Sequence, residues 1–252
     1  MRRLIGCLTA VLMFTLVGAI VEAMTVQPVV VDMRMAGREM SAPVRVENNG
    51  PNPLPVELRV NEMDFLPDGV RASDRLSDDL MVFPPQAIIP PGETQVFRLQ
   101  YIGDPDADRS RHYYVTVAQL PVELPEGQSA IQILYNFQVM ANVASVVAGA
   151  PELSVESSGV TQNAQEQPIP TFTIRNTARN YGYLSASRLT VVQRDAAGQE
   201  IFRRTLNPND IQQQIGFGLV GPETSRNFTA PLELPSADGA VEVTLSTVGR
   251  GR

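Results

Sequence analysis

The amino-acid sequence predicts an all-β protein made of two sandwich domains. Apolar stretches with alternating polar residues recur at intervals of about eight to twelve residues, which is the spacing of strands in antiparallel sandwiches. Turns rich in proline, glycine and asparagine separate these stretches, as at 48–53. No segment of about ten residues or more has convincing helical periodicity. The chain has 252 residues, enough for two domains of about 100 to 120 residues each.

Residues 1–23 have the order of a cleavable export signal. Arg2 and Arg3 precede an apolar run at 4–20, and a cleavage site of small residues ends at Ala23. This order predicts a secretory signal peptide over 1–23. The apolar run is short for a membrane span, which makes a membrane anchor the weaker interpretation.

Cysteine content and charge restrict the compartment and the partners. Cys7 is the one cysteine and lies inside the signal segment, so the exported protein would contain no disulfide bond. Export without disulfides fits a bacterial periplasm. The formal net charge is −7 and the chain contains no lysine. An acidic chain of this kind argues against nucleic-acid binding, which needs a basic surface.

Alternation places the strands of an N-terminal domain over 24–147. Two strands are expected within 25–47, on either side of a turn at 36–38. The acidic stretch 67–79 is expected to be a solvated loop. The further strands expected in this domain cover 56–60, 96–99 and 113–117.

A segment of small residues and proline, 148–151, is the expected joint to a C-terminal domain over 148–252. Asp195-Ala196-Ala197-Gly198 predicts a hairpin turn. The strands expected in this domain cover 171–175, 187–194, 200–206, 226–232 and 241–247.

The stretch 129–143 is the most distinctive strand candidate. Apolar and polar residues alternate along it with a period of two, and it exceeds the usual strand length of about five or six residues. A long apolar strand is either covered by its own domain or left open to receive another strand. Its apolar face carries Ile131, Ile133, Tyr135, Phe137 and Val139.

Other motifs do not indicate a catalytic, cofactor or metal site. The glycines of 216–221 fit the pattern G-x-G-x-x-G, but no helix that could bind pyrophosphate is expected after them. Met33, Met35 and Met40 suggest a copper(I) site with His112, although core packing is the favoured interpretation. A nucleophile elbow and calcium-loop spacing are both missing. We therefore expect no enzyme activity, no cofactor and no metal.

An ordered run of motifs over 25–145 is similar to the PapD-like periplasmic chaperones of pilus assembly. The segments that carry the resemblance are Phe83-Pro84-Pro85, Ile89-Pro90-Pro91-Gly92, Arg98-Leu99, Asp108-Arg109, Tyr113-Tyr114-Val115-Thr116, Leu120-Pro121 and Ile131-Gln132-Ile133. Over 150–252 the likeness is limited to domain size, strand content and Arg175-Asn176-Thr177.

This resemblance implies two immunoglobulin-like sandwiches in a boomerang arrangement. It also implies that the strand 129–143 is lent to a pilin-like subunit whose own fold lacks one strand, without ATP. Such strand addition combines main-chain hydrogen bonds with side chains that enter pockets of the partner. The partners that it implies are pilin-like subunits and an outer-membrane usher.

The chain departs from the family where the client's terminal carboxylate is anchored. The family uses an Arg on the first strand and a Lys on the long last strand. The corresponding residues here are Val31 and Met140, and the chain has no lysine. Arg34 is the nearest arginine and a candidate anchor, because Arg pairs well with carboxylates. On a straight strand, however, it would face away from position 31.

The sequence supports two leading hypotheses on function, and a copper-binding carrier that uses the methionines is a third. The first is an ATP-independent periplasmic chaperone that binds incomplete pilin-like subunits by lending 129–143 and delivers them for pilus assembly. The second is an exported two-domain structural or adhesive module in which that strand stays paired inside its own domain.

Overall fold

The computed structural model describes residues 24–121 and 133–247. The predicted signal peptide and Ile131 lie outside these residues. Within them the chain forms strands almost throughout, and the one α-helix, α1 (Pro208–Gln214), is short. The predicted all-β class is therefore confirmed.

The first sandwich consists of two sheets that enclose one core. Its strands are β1 (Met24–Gln27), β2 (Val30–Arg34), β3 (Ser41–Asn48), β4 (Leu54–Leu66), β5 (Gly69–Leu76), β6 (Leu80–Phe83), β7 (Gln86–Ile89), β8 (Thr94–Tyr101), β9 (Arg111–Gln119) and β10 (Asn136–Ala144). One sheet has the order β1-β3-β8-β6. The other has the order β2-β10-β9-β4-β5, and β7 also pairs with β4.

Period-two alternation builds this core. In β3, Val44 and Val46 are buried while Arg45 between them is exposed. Phe97 and Leu99 of the neighbouring β8 are buried in the same core. Side chains of successive strand residues point to opposite faces, so each strand buries one apolar row and exposes the other.

The chain changes sheet between β1 and β2. β1 pairs antiparallel with β3, whereas β2 pairs parallel with β10 in the opposite sheet. Pro28 lies between the two strands and has no N–H to donate to a ladder. Because β1 pairs in the first sheet, the part of β10 before Met140 has no neighbouring strand on the β2 side within the described ranges.

The prediction of a solvated loop at 67–79 is wrong, because most of this stretch is strand β5. It pairs with the end of β4, where Asp64 lies opposite Arg71. Arg75 also donates to Glu62 at 2.6 Å and to Asp64 at 2.9 Å. Opposite charges across neighbouring strands make a polar hairpin compatible with a sheet.

The second sandwich has smaller sheets around a separate core. Its strands are β11 (Leu153–Gln162), β12 (Pro168–Asn176), β13 (Gly182–Tyr183), β14 (Ser187–Arg194), β15 (Glu200–Leu206), β16 (Leu219–Val220), β17 (Ser225–Thr229) and β18 (Ala240–Thr247). The sheet orders are β11-β12-β17 and β15-β14-β18, and β13 pairs with β16.

Local signals in the second sandwich agree with its structure. The observed β14 and β15 have the predicted bounds, and Gly198 has a φ of 79° in the hairpin turn between them, a conformation that glycine adopts without steric cost. The sequence interpretation missed β11 and α1. The helix begins at a capping box in which Asn207 accepts from the backbone and Asp210 returns a bond to the Asn207 N–H.

Candidate functional site

The strand β10 is paired on both sides over only part of its length. It pairs with β9 from Asn136 to Val143, and with β2 only from Met140 to Ala144. Before Met140, one edge of β10 therefore has free main-chain groups among the described residues. The predicted strand 129–143 is shorter in the structure: residues 133–135 are not strand, although the N–H of Gln119 donates to the carbonyl of Tyr135 at 3.0 Å.

The apolar face of β10 divides at the same place. Val139 is fully buried in the first core. Phe137, Tyr135 and Ile133 lie beyond the core, with exposed fractions of 36%, 42% and 68%. In the sequence all four belong to one alternating row, and this row is therefore partly in the core and partly open.

The predicted set of client contacts is therefore corrected at Val139, which is buried. Its side chain is 0% exposed and packs inside its own sandwich, so it is unavailable to a partner while this domain stays folded. The reason is register: Val139 lies opposite Val115 of β9, which is also fully buried.

Ile133 and Tyr135 border a small hollow at the end of the first sandwich. This cavity of about 70 Å³ is lined on its other side by Met24, Leu54 and the asparagine-rich turn after β3. Apolar groups that partly line an open hollow remain accessible to a partner's side chains.

A polar contact between the two sandwiches lies at the opposite end of β10, where β2 and β10 meet the second sandwich. Asp32 of β2 lies beside Asn142 of β10. The hydroxyl groups of Tyr181 and Tyr183 both donate to Asp32 Oδ1, at 2.8 and 2.6 Å. Burial, together with Asp32, raises the pKa of each tyrosine above its ordinary value, so both remain donors.

Asn142 extends this network into the first sandwich. Its Nδ2 donates to the Tyr183 hydroxyl at 2.7 Å, and its Oδ1 accepts from His112 Nδ1 at 2.7 Å. His112 Nε2 then accepts from the Ser110 hydroxyl at 2.9 Å. One neutral histidine tautomer satisfies all these bonds. Burial lowers the pKa of His112 to about 4, which keeps the ring neutral near pH 7.

Charged residues join the two sandwiches on another part of the interface. Arg179 forms an ion pair with Asp108, and Arg109 lies 3.4 Å from Glu223. Arg109 also donates to the carbonyl of Pro222 at 2.6 Å. The side chains of these ion pairs are about half exposed, so the pairs contribute little stability individually.

The predicted carboxylate anchor has no supporting geometry. Arg34 is exposed and lies 3.8 Å from Glu39. Val31 is buried in the core, whereas Met140 is partly exposed. The side chain next to Val31 is that of Asp32, an acid that accepts from Tyr181 and Tyr183. Sequence reasoning missed Asp32, Asn142 and the two tyrosines, because only the fold brings residues so far apart in sequence together.

The burial of Met33 and Met35 agrees with the favoured interpretation of core packing. Met33 and Met35 are buried in the first core, where they pack against apolar neighbours. Within 24–121 and 133–247, no group of three or more His, Cys, Asp or Glu side chains is placed to hold a metal ion. No helix in the same ranges is long and apolar enough to cross a membrane.

Comparison with known proteins identifies the first sandwich. Residues 23–140 match the family model described as "Pili and flagellar-assembly chaperone, PapD N-terminal domain". No curated protein matches the sequence.

Solved structures resemble the whole chain in fold, at low sequence identity. A structure of Salmonella enterica SafA pilin in complex with the SafB chaperone has 14% identity and a TM-score of 0.53, covering 92% of this chain and 99% of the other. A chaperone–tip adhesin complex of CFA/I fimbriae biogenesis has 14% identity and a TM-score of 0.52, covering 91% and 94%. The CsuC–CsuE pre-assembly complex of Acinetobacter baumannii has 14% and 0.51, covering 88% and 97%.

The two sandwiches of this chain share their fold with the chaperones of these structures. The match over 23–140 assigns the first sandwich to the PapD N-terminal domain family, as the sequence resemblance predicted. The proteins described by the family model and by these structures are assembly chaperones and not enzymes.

Proposed function

We propose that this protein is an ATP-independent periplasmic chaperone that binds incomplete pilin-like subunits through β10 and the residues before it. It then delivers them, through an outer-membrane usher, for pilus assembly. The single observation that carries this proposal is the unpaired edge of β10 before Met140, which coincides with three exposed apolar side chains.

The edge and the side chains serve different parts of the interaction. Unpaired N–H and C=O groups at 136–139 supply main-chain hydrogen bonds to a strand of the subunit. Ile133, Tyr135 and Phe137 project from one face and fill pockets in the subunit's incomplete core. Each such side chain gains up to about 1.5 to 3 kcal/mol on full burial. Ile131, outside the described residues, continues the same row in sequence.

The energetics fit reversible transfer. A lent strand makes no covalent bond, and a competing strand with similar hydrogen bonds and better pocket contacts replaces it at little net cost. Delivery therefore needs no nucleotide. The solved complexes with a pilin or a tip subunit support the assignment of a subunit as the partner.

Co-production of the exported protein with a pilin-like subunit from the same genome tests the proposal. We expect a one-to-one complex on gel filtration. Ile133→Asp and Tyr135→Asp should abolish it, because a carboxylate buried in an apolar pocket without a partner costs several kcal/mol. Leu66→Asp, at an exposed apolar residue elsewhere on the first sandwich, is the matched control and should leave the complex intact.

A protein that remains free despite abundant folded subunit would contradict the chaperone function. It would favour a two-domain structural module instead. Retention of the complex by both aspartate variants would exclude strand lending through this row of side chains.

A further inference from the structure

The fixed end of β10 is held by the second sandwich as well as by its own. Asn142 is fully buried, and its side chain bonds His112 of β9 on one side and Tyr183 on the other. At the first residue after β10, the N–H of Ser145 donates to Asn180 Oδ1 at 2.8 Å, while Asn180 Nδ2 donates to the carbonyl of Ser145 at 3.1 Å. The segment 142–145 is thus anchored from both domains.

We propose that Tyr183 and Asn142 form a clasp by which the C-terminal domain fixes the position of β10, and that Tyr183 is a positioning residue for client binding. This inference rests on the proposed function, because it assigns the clasp a role at the lent strand. The residues that touch the client lie at 133–137, and the clasp lies at the opposite end of the same ladder.

The Tyr183 hydroxyl joins both β10 and β2 to the second domain. It accepts from Asn142 of β10 and donates to Asp32 of β2 at 2.6 Å. β10 and β2 are themselves in parallel register at this point, with Asn142 opposite Asp32. Loss of the hydroxyl therefore removes two bonds that hold adjacent strands, and leaves Asn142 Nδ2 and one Asp32 contact without their partner.

Tyr181 provides a matched comparison. Its hydroxyl donates to the same Asp32 oxygen at 2.8 Å but makes no bond to β10. Both tyrosines are half-buried and belong to the same loop and strand of the second sandwich. Tyr181→Phe and Tyr183→Phe thus remove the same atom from neighbouring positions, and only the second breaks the link to the lent strand.

A lent strand benefits from such fixation because binding costs the ordering of whatever is mobile beforehand. With β10 clasped at Asn142, the edge before Met140 starts from a fixed direction and register. A strand that shifts by one residue would turn its apolar row away from the client. The clasp therefore favours the register in which Ile133, Tyr135 and Phe137 face one way.

The surroundings of the clasp are also unsuited to a client's terminal carboxylate. The Tyr181 and Tyr183 hydroxyl protons are already donated to Asp32. Among the described residues, Asp32 forms no ion pair, and the nearby Arg34 lies beside Glu39. A second carboxylate would meet a like charge there, which raises its free energy.

Hydrogen–deuterium exchange of the free, full-length exported protein tests the clasp without any client. For Tyr183→Phe we expect the amides of 140–144 to exchange about tenfold faster than in the unsubstituted protein, as loss of about 1.4 kcal/mol of hydrogen bonding predicts. For Tyr181→Phe we expect a change of about twofold or less. Equal exchange in the two variants would overturn the proposal, and near-ultraviolet circular dichroism verifies that both are folded.

Binding of the co-produced pilin-like subunit completes the test and separates the two proposals. We expect Tyr183→Phe to weaken the complex about tenfold and Tyr181→Phe to leave it nearly unchanged. If exchange changes as expected but the unsubstituted protein binds no subunit, the chaperone function fails and the positioning role fails with it. If the subunit binds equally well to both variants, the clasp is structural only and the positioning role is wrong.

Discussion

At the scale of single residues, His112 is a buried side chain whose pKa is changed by its surroundings. Its ring packs edge-on against Phe65 and Tyr181, with centroid distances of 4.9 and 5.1 Å. Burial disfavours the charged form of the ring, and the positive charges of Arg109 and Arg111 disfavour it further. The pKa of His112 therefore falls from 6.5 to about 4. The imidazole therefore acts as a neutral link between Ser110 and Asn142 in the hydrogen-bond chain.

This lowered pKa predicts a specific loss of stability in mild acid. The unfolded chain binds a proton at His112 near pH 6.5 and the folded protein only near pH 4, so the contribution is complete above pH 6.5 and is lost as the pH falls toward 4. The gap corresponds to on the order of 3 kcal/mol. Urea unfolding at pH 7, 5.5 and 4.5 measures it.

His112→Asn is the control for this prediction, because its amide nitrogen can replace Nδ1 as donor to Asn142 and does not titrate. Carboxyl groups titrate alike in both proteins, so the difference between their stability profiles isolates the histidine. The unsubstituted protein should lose more stability than the variant between pH 6.5 and 4.5. Parallel profiles would show that His112 is not held neutral by the fold.

At the scale of elements, the alternation of β10 was readable from the sequence but its division was not. The period of two places Phe137 and Val139 on one face of β10, whereas Ile133 and Tyr135 lie before the strand. Which of these side chains is buried in the core depends on where β9 ends and on the pairing of β1 in the other sheet. Those are properties of several strands together, so one strand's pattern cannot locate the boundary between covered and open residues.

The polar hairpin of β4 and β5 shows a second limit. Its residues lack the apolar alternation that marks a strand, and the sequence therefore predicted a loop. Cross-strand pairs between Arg75 and the acids Glu62 and Asp64 stabilise the pairing instead. Such pairs depend on register, which becomes visible only after the two strands are aligned.

Because Val139 is buried and Phe137 is exposed, we expect different effects from substitutions at these two residues of the same face. Val139→Asp places a carboxylate in the closed core and should lower the free energy of unfolding by about 3 kcal/mol or more. Phe137→Asp lies at the exposed part and should change stability by less than about 1 kcal/mol while abolishing subunit binding. Urea unfolding and gel filtration with the subunit measure the two effects.

Each outcome contradicts a different statement about β10. A stable Val139→Asp protein would mean that this side chain does not lie in the core. A strongly destabilised Phe137→Asp protein would mean that its own domain, and not a client, covers the ring.

At the scale of the whole molecule, the two sandwiches meet through polar contacts and through an apolar one. The hydrogen bonds around Asp32, the bonds between Ser145 and Asn180, and the exposed ion pairs of Arg109 and Arg179 belong to the polar part. The partners lie far apart in sequence, 71 residues for Arg179 and Asp108 and 41 residues for Asn142 and Tyr183. No local pattern pairs such residues, which explains why the sequence predicted two domains but not the contacts between them.

The apolar contact is between Phe65 of the first sandwich and Gly221 of the second. A Cβ atom at Gly221 would lie 2.7 Å from Phe65 Cε1, too close for an unmoved ring. Gly221→Ala should therefore lower the free energy of unfolding by about 1 to 3 kcal/mol. Phe65→Ala alone should also destabilise the protein, because it removes half-buried apolar surface at the interface.

The two substitutions together reveal whether this contact fixes the domains against each other. In the double variant the alanine methyl at 221 occupies space that the ring has vacated, so the loss should be smaller than the sum of the single losses by about 1 kcal/mol or more. Urea unfolding of the four proteins gives this coupling energy. Strictly additive losses would mean that Phe65 and Gly221 do not touch in solution. The interdomain geometry would then rest on other contacts, the polar network among them.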